Sequence, residues 1–246
     1  MLASLGFAEV SVYRRPRVAF FSTGDELRGV GEPLGPGEIY DSNRYTLFAM
    51  LKRLDVEIND MGVVRDKREL IEQAFREAAA SADAIITSGG VSVGEADFVK
   101  QTLEALGSMS FWKIAMKPGR PVTFGHIDDA VFFGLPGNPV SVMVTFFQFV
   151  RSALLKMSGE ADPQPIYTVM AHTTSALRKR PGRYEFQRGV LEQSAPGEFT
   201  VRSAGAQGSG ILRSMSEANC FILLEPDQSG IKAGQPVLVQ PFQNLI

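Results

Sequence analysis

The residues this chain uses sparingly exclude whole classes of function. Its 246 residues include one cysteine, two histidines and one tryptophan. A single cysteine, Cys220, excludes an internal disulfide and suits a reducing compartment. Two histidines, His126 and His172, and one thiol are too few for a soft-metal cage. Neither histidine is paired in sequence with a nucleophilic serine or cysteine. Charge of either sign is also not in excess. Against 25 basic residues stand 27 acidic ones, a formal net charge of −2, so no global basic field gathers nucleic acid. No apolar run reaches the length of about 20 residues that a bilayer requires. The start, Met1 to Phe7, lacks the basic opening of a signal peptide. These absences lead us to expect a soluble cytoplasmic protein with neither nucleic acid nor membrane as partner.

What is present is an alternating chain. A hydrophobic fraction of 44% is enough for one large domain or two ordinary ones. Arg17 to Ser22 is a continuous apolar run, as in a strand covered on both faces. Residues 42–54 place Leu47, Met50, Leu51 and Leu54 on one helical side, with Asp41 or Ser42 as cap. Val56 to Val64 is strand-like, and residues 67–81 form an amphipathic helix with Asp66 near its start. Asp83 to Thr87 reads as a strand and Phe98 to Leu106 as a helix. Phe111 to Met116, Val122 to Phe124 and Val131 to Leu135 are short strand candidates. Pro139 to Met157 is a long apolar helix with proline in its first turn. The stripe Val144, Phe146, Phe147, Phe149 and Val150 reads as core or as an oligomer interface. The rhythm predicts an α/β domain over residues 17–160, a mainly parallel sheet flanked by helices.

Composition changes near residue 160, where Asp162-Pro-Gln-Pro165 looks like a linker. Beyond it come short β segments, from Ile166 to Thr173, Tyr184 to Gln193, Phe199 to Arg202, Asn219 to Leu224 and Pro236 to Gln240. Pro181-Gly, Pro196-Gly and Ala233-Gly are turn signals between them. Residues 161–246 are therefore expected to form a small all-β domain, barrel-like. Cys220, in an apolar segment, reads as inert core.

The chemistry concentrates at loops that follow strands, where open α/β sheets bind ligands. Ser88-Gly-Gly-Val-Ser-Val-Gly-Glu-Ala-Asp97 joins a strand to a helix N-terminus. Its glycines Gly89, Gly90 and Gly94, with Ser88 and Ser92, suit an anion cradle. It ends in Glu95 and Asp97, which suggests a divalent cation bridging protein and phosphate. A plain turn with Asp97 as helix cap would need no ligand. Asp25 and Glu26 follow an earlier strand, and Asp66 another. Carboxylates brought together without histidine suit Mg2+. Lys113, Lys117 and Arg120 surround a Lys-Pro-Gly turn, suited to an anionic substrate or simply to a solvated strand edge. Gly134-Leu-Pro136-Gly137-Asn138-Pro139 supplies a second helix N-terminus whose free N–H groups are candidates for an anion. Gly205 to Gly210 reads as a lid or a hairpin.

Taken in order, Ser22-Thr-Gly-Asp-Glu-Leu27, Tyr40-Asp-Ser-Asn43, the Ser88 to Asp97 loop, Lys117-Pro-Gly-Arg-Pro121, Gly134 to Pro139, Phe186-Gln-Arg-Gly189 and Gln207-Gly-Ser209 resemble the molybdopterin molybdenumtransferases, the molybdenum insertases, which include the C-terminal domain of gephyrin. The resemblance runs from about residue 3 to the end. It implies a molybdopterin-binding-like fold and a role in molybdenum cofactor biosynthesis. The implied reaction joins adenylylated molybdopterin and molybdate, releasing AMP with Mg2+ or a similar cation. It implies Asp66, Asp97 and Glu26 at the cleavage site and Asp66, Asp97 and Glu95 toward the metal. It implies Lys113 and Lys117 for molybdate or phosphate, and Arg188 and Ser209 as functional positions in the β domain. A homodimer is expected by the same route, with a molybdopterin adenylyltransferase and molybdoenzymes as further partners. Residues 1–16 resemble the tail of a linker region that precedes this point in family members, together with a lid domain. Two other functions are compatible with that picture. One is a module that binds molybdopterin without turnover, and the other is a protein-interaction scaffold.

Overall fold

A computed structural model describes residues 1–89, 98–163 and 166–242. Strand β1 (Arg17–Thr23) is buried from Val18 onward, covered on both faces. Strands β2 (Leu27–Arg28) and β3 (Ile39–Tyr40) pair with each other. Helix α1 (Ser42–Lys52) is capped by Asp41, whose Oδ1 accepts the Arg44 N–H at 3.1 Å. Strand β4 (Glu57–Val64), helix α2 (Arg68–Ser81), strand β5 (Ala84–Ser88) and helix α3 (Phe98–Leu106) continue the alternation. Strands β6 (Gly107–Lys113), β7 (Met116–Lys117), β8 (Pro121–Ile127) and β9 (Ala130–Leu135) then lead to helix α4 (Pro139–Met157), which contains a π-turn at Phe146–Val150.

The first sheet has six strands in the order β4, β1, β5, β9, β8, β6. The neighbours from β4 to β9 pair in parallel, and β8 and β6 close the sheet antiparallel. The sheet is thus mixed, with the expected parallel part running from its β4 edge to β9. Successive residues of β1 divide between two cores, as the two-residue period of a strand requires. Val18 and Phe20 pack with Leu47 and Leu51 of α1 and Val144 of α4. Ala19 and Phe21 pack with Ile71 and Phe75 of α2 and Leu103 of α3. Phe75 stands edge-on to Phe21 and Phe132, with ring centroids 5.2 and 5.6 Å away. Truncating such a residue to alanine costs about 3–5 kcal/mol.

Residues 166–242 carry β10 (Val169–Thr173), β11 (Leu177–Arg178), β12 (Tyr184–Ala195), β13 (Glu198–Ser203), helix α5 (Arg213–Glu217), β14 (Cys220–Leu224), β15 (Gly230–Ile231) and β16 (Pro236–Pro241). The order β13, β10, β16, β14, β12 returns through a β12–β13 pairing, so the sheet closes on itself as a barrel. Ala171, Val201, Cys220, Ile222 and Val239 fill it. Burial pushes the Cys220 thiol up to about 12, consistent with an inert core side chain. The five-residue α5 is too short to show a helical period in sequence.

The expectation of one strand from Phe111 to Met116 is corrected. The chain leaves the first sheet at Lys113, and Met116–Lys117 adds in parallel to β12, pairing with Tyr184 and Glu185. No turn residue marks this change of partner, so hydrophobic pattern alone does not reveal it. Helix α4 is apolar on several sides because sheet and barrel both pack on it. Its Val140, Val144, Phe146, Phe147 and Val150 are buried, and Phe147 lies 6.3 Å from Phe221 of the barrel. Phe149, from the same stripe, is 36% exposed. The helix is long and apolar enough to cross a membrane, but here it is the shared core element of the two halves.

Candidate active site at the carboxyl edge of the sheet

The parallel strands all end at one edge, and strand order decides what meets there. Beyond β4 comes Arg65-Asp66, and beyond β1 comes Gly24-Asp25-Glu26. Strand β5 ends at Ser88 with Gly89 beyond it, and beyond β9 come Pro136, Gly137 and Asn138. The antiparallel strands bring their opposite ends to the same edge. Lys113 closes β6 opposite Pro121, the first residue of β8. The edge therefore runs from carboxylates through glycine backbone to lysines. With neighbouring strands about 4.8 Å apart, β4 and β6 lie roughly 24 Å from each other across the sheet.

At the acidic end Asp25 and Asp66 meet. The Asp66 N–H donates to Asp25 Oδ1 at 3.3 Å, and Arg65 Nη1 donates to the Asp25 carbonyl at 3.1 Å. Glu26, exposed, folds its carboxylate back over Gly24, so that a Cβ on Gly24 would lie 2.6 Å from Glu26 Oε2. Among the described residues no group of three or more His, Cys, Asp or Glu side chains is arranged to hold a metal ion. Glu95 and Asp97, expected as ligands, lie outside the described residues, as do Gly90, Ser92 and Gly94. Asp25 was legible in sequence as one of the acids after strands. Its contact with Asp66 is long-range and was not.

In the middle the backbone comes close to itself. Gly89 has φ of +91°, and a Cβ there would lie 2.7 Å from the Thr23 carbonyl oxygen. Only glycine fits both the conformation and the space. The Gly89 N–H donates to the Leu135 carbonyl at 3.1 Å, and a Cβ on Gly137 would lie 3.6 Å from Gly89 Cα. The two glycine turns are thus in contact. Asn43 of α1 supports them, its Nδ2 donating to the Gly137 carbonyl at 2.7 Å. Ser88 is buried, its hydroxyl 3.0 Å from that of Ser22, so it anchors the turn from below.

The expectation for the α4 N-terminus is narrowed. Pro139 brings no N–H, and the Val140 N–H donates to the Ser209 carbonyl at 3.1 Å. One first-turn donor of this helix is thus taken within the protein. What the contact does achieve is to seat the 205–210 loop of the barrel on this edge. A Cβ on Gly210 would lie 3.6 Å from Asn138 Oδ1.

Arg188 organises that loop from inside. The residue is 1% exposed, and its Nε donates to Ser214 Oγ at 3.0 Å. Its Nη2 donates to the carbonyls of Ala206 and Gly208 at 3.3 and 3.0 Å. Burial lowers its pKa to about 10, which still leaves the guanidinium charged at neutral pH. Gln207 completes the clasp, accepting the Arg188 N–H at 2.7 Å and donating to its carbonyl at 3.0 Å. The sequence offered Arg188 and Ser209 as separate functional positions, and the structure joins them through one loop.

At the basic end Lys113, Lys117 and Arg120 are exposed. Pro118 and Gly119 between them are buried against α4, where a Cβ on Gly119 would lie 2.6 Å from Thr145 Cγ2. Lys117 Nζ is 3.4 Å from Oε1 of Glu185, a residue of the barrel that the sequence did not single out.

Known proteins match this arrangement. The family model described as "Probable molybdopterin binding domain" matches residues 19–156, more than half of the chain, and "MoeA C-terminal region (domain IV)" matches residues 170–242. A molybdopterin molybdenumtransferase of Haemophilus influenzae is 46% identical over 246 residues, covering 100% of this chain and 61% of that protein. One of Bacillus subtilis is 33% identical over 240 residues, covering 97% of this chain and 55% of that protein. Gephyrin of Dictyostelium discoideum is 31% identical over 281 residues, covering 99% of this chain and 39% of that protein. Among solved structures, a molybdopterin biosynthesis MoeA protein from Pyrococcus horikoshii superposes with a TM-score of 0.81 at 31% identity, covering 98% of this chain and 58% of that one. The chain thus spans about three-fifths of the length of these molybdenumtransferase relatives. Carrying both the molybdopterin-binding domain and the β domain that follows it in those relatives, the chain belongs to the molybdopterin molybdenumtransferase family.

Proposed function

We propose that the carboxyl edge binds adenylylated molybdopterin and molybdate and releases AMP as molybdenum enters the dithiolene. One observation carries this reading. A single strand order lays acids, close-approach glycine backbone and lysines along one edge in that sequence. An elongated substrate with a pyrophosphate in its middle and an oxyanion at one end needs that gradient. In this reading Gly89 and Gly137 let the backbone approach the phosphates, while Lys113 and Lys117 attract molybdate. The loop around Ser209 borders the same edge and restricts water there.

The donor set fits a hard divalent cation. Asp25 and Asp66 are exposed acids, the Asp25 carboxylate touching the Asp66 backbone N–H, without histidine or thiol in the motif, and Mg2+ is held by one or two carboxylates plus substrate phosphates. Asp66 is the residue we assign to it, and the family resemblance adds Asp97 and Glu95, which lie outside the described residues. When bound, the cation neutralises charge on the pyrophosphate being cut. Glu26 and Asp25 hold the Asp66 side of the edge negative, which favours the cation over a second anion there. A homodimer, a cytoplasmic setting and exchange with a molybdopterin adenylyltransferase and molybdoenzymes belong to the same reading and rest on the family resemblance.

The test is incubation with adenylylated molybdopterin, molybdate and Mg2+, following AMP, beside a longer family member. AMP release by this chain supports turnover. Tight binding of the substrate by calorimetry without AMP release would reduce the function to that of a binding module. No binding at all would remove the proposal.

A further inference from the structure

We infer that Glu185 is the built-in counter-ion of Lys117, a fixed carboxylate from the barrel that weakens and aims this lysine's hold on a substrate oxyanion. The inference rests on the proposed role of Lys117 as an anion ligand. Glu185 is 3% exposed, although a buried charge is tolerated only when paired. Its Oε1 lies 3.4 Å from Lys117 Nζ, and its Oε2 accepts from Gln187 Nε2 at 3.0 Å. Gln187 is itself tied, the same nitrogen donating to the Arg178 carbonyl at 2.8 Å.

The two partners are held differently. Glu185 sits within the barrel sheet, its backbone paired with Lys117 on one side and Leu224 on the other. Its side chain is buried and tied to Gln187. The Lys117 side chain is 45% exposed, on a four-carbon stem with three donors at its tip. An arriving oxyanion therefore meets an ammonium already facing a carboxylate. It gains the remaining donors, oriented by the pair, and it also feels the repulsion of Glu185. Such a device limits how tightly the oxyanion is held and so keeps it releasable. It also gives the barrel a part in the chemistry of the sheet edge, since β7, which crosses from the first half into the barrel sheet, is the strand that brings Lys117 to Glu185.

The experiment measures molybdate affinity by titration calorimetry at low ionic strength, for the whole chain and its variants. Glu185→Gln keeps the shape and the Gln187 contact while removing the charge. We expect it to bind molybdate about three- to tenfold more tightly, with the gain shrinking as salt is added. Structural damage loosens binding, so tightening separates the two explanations. Unchanged or weaker binding by Glu185→Gln overturns the inference. In the double variant Glu185→Gln with Lys117→Ala, which leaves no uncompensated buried charge, the gain should vanish and affinity should fall below that of the unaltered chain. If that double variant binds as well as Glu185→Gln alone, Lys117 is not the anion ligand, and the proposed function of the basic end fails instead. No molybdate binding by any of these proteins rejects both.

Discussion

The two ends of strands β1 and β5 use charge in opposite ways. At their amino ends Asp83 accepts from Arg14 Nη1 and Nη2 at 2.6 and 2.7 Å, from Arg17 Nη2 at 3.1 Å, and from the Arg17 N–H at 2.7 Å. Arg14 above all holds the Asp83 carboxyl well below the usual carboxylate range, against the opposing effect of its partial burial. At the carboxyl ends of the same sheet Asp25 and Asp66 lie at one end and Lys113 at the other, and Lys117 of the barrel strand β7, 45% exposed, keeps a single carboxylate partner, Glu185. Charge paired on several sides, as at Asp83, stabilises the chain and leaves little for a ligand. Charge segregated along an edge stabilises little and attracts a ligand with the complementary pattern.

Breaking the carboxyl edge should therefore cost function, and breaking the amino edge should cost stability. The largest effect is expected from Asp66→Asn, which should lower Mg2+-dependent AMP release about 100-fold or more while shifting Tm by no more than a few degrees. Normal release by that variant would show that the acidic end is not the cleavage site. Gly89→Ala should damage both quantities, because the methyl group meets the Thr23 carbonyl at a φ that L-residues avoid. We expect about 1–3 kcal/mol of destabilisation, read by urea unfolding, and loss of substrate binding in calorimetry. Arg188→Ala leaves the Ala206 and Gly208 carbonyls and Ser214 Oγ without their donor, and should cost about 3 kcal/mol and release the loop that carries Ser209. Hydrogen exchange at the Val140 N–H reports that release directly, since its acceptor is the Ser209 carbonyl.

The smallest effect belongs to the amino edge and sharpens the contrast. Asp83→Asn should lower Tm by about 2–4 °C near neutral pH and leave ligand binding unchanged. The folded pKa of Asp83 lies below its unfolded value, so its stabilisation is present above about pH 4 and is lost as pH falls further. The gap in Tm between the two proteins should stay constant from pH 7 to pH 5 and shrink progressively as pH falls below about 4 toward the depressed folded pKa. A gap as wide at about pH 2 as at pH 5 would assign the stability to packing rather than to charge.

Much of this was legible before any coordinate. The apolar run of β1, the 3.6-residue spacing of α2 and the turn signals beyond Pro181 predict the two halves, since each is a local pattern imposed by burial. Asp66, Lys113, Lys117 and Ser209 stood out as candidate site residues by motif and by the family they resemble. Less visible was what each does with its neighbours. Asn138-Pro139 suggested an open helix N-terminus, yet the Ser209 carbonyl, 69 positions away by the numbering, takes the Val140 N–H. Arg188 was offered as a functional position of the β domain, and only the structure shows that it is a buried clasp.

The sequence by itself determined most of the longer strands and helices, and which loops carry acid, glycine and lysine. Hydrophobic periodicity and turn chemistry act over a few residues and can be read in one dimension. Tertiary structure alone decided the order β4, β1, β5, β9, β8, β6, the crossing of Met116–Lys117 into the barrel, and the meeting of Lys117 with Glu185. Those pairings depend on register between distant strands and on packing against α4, and no local pattern encodes either.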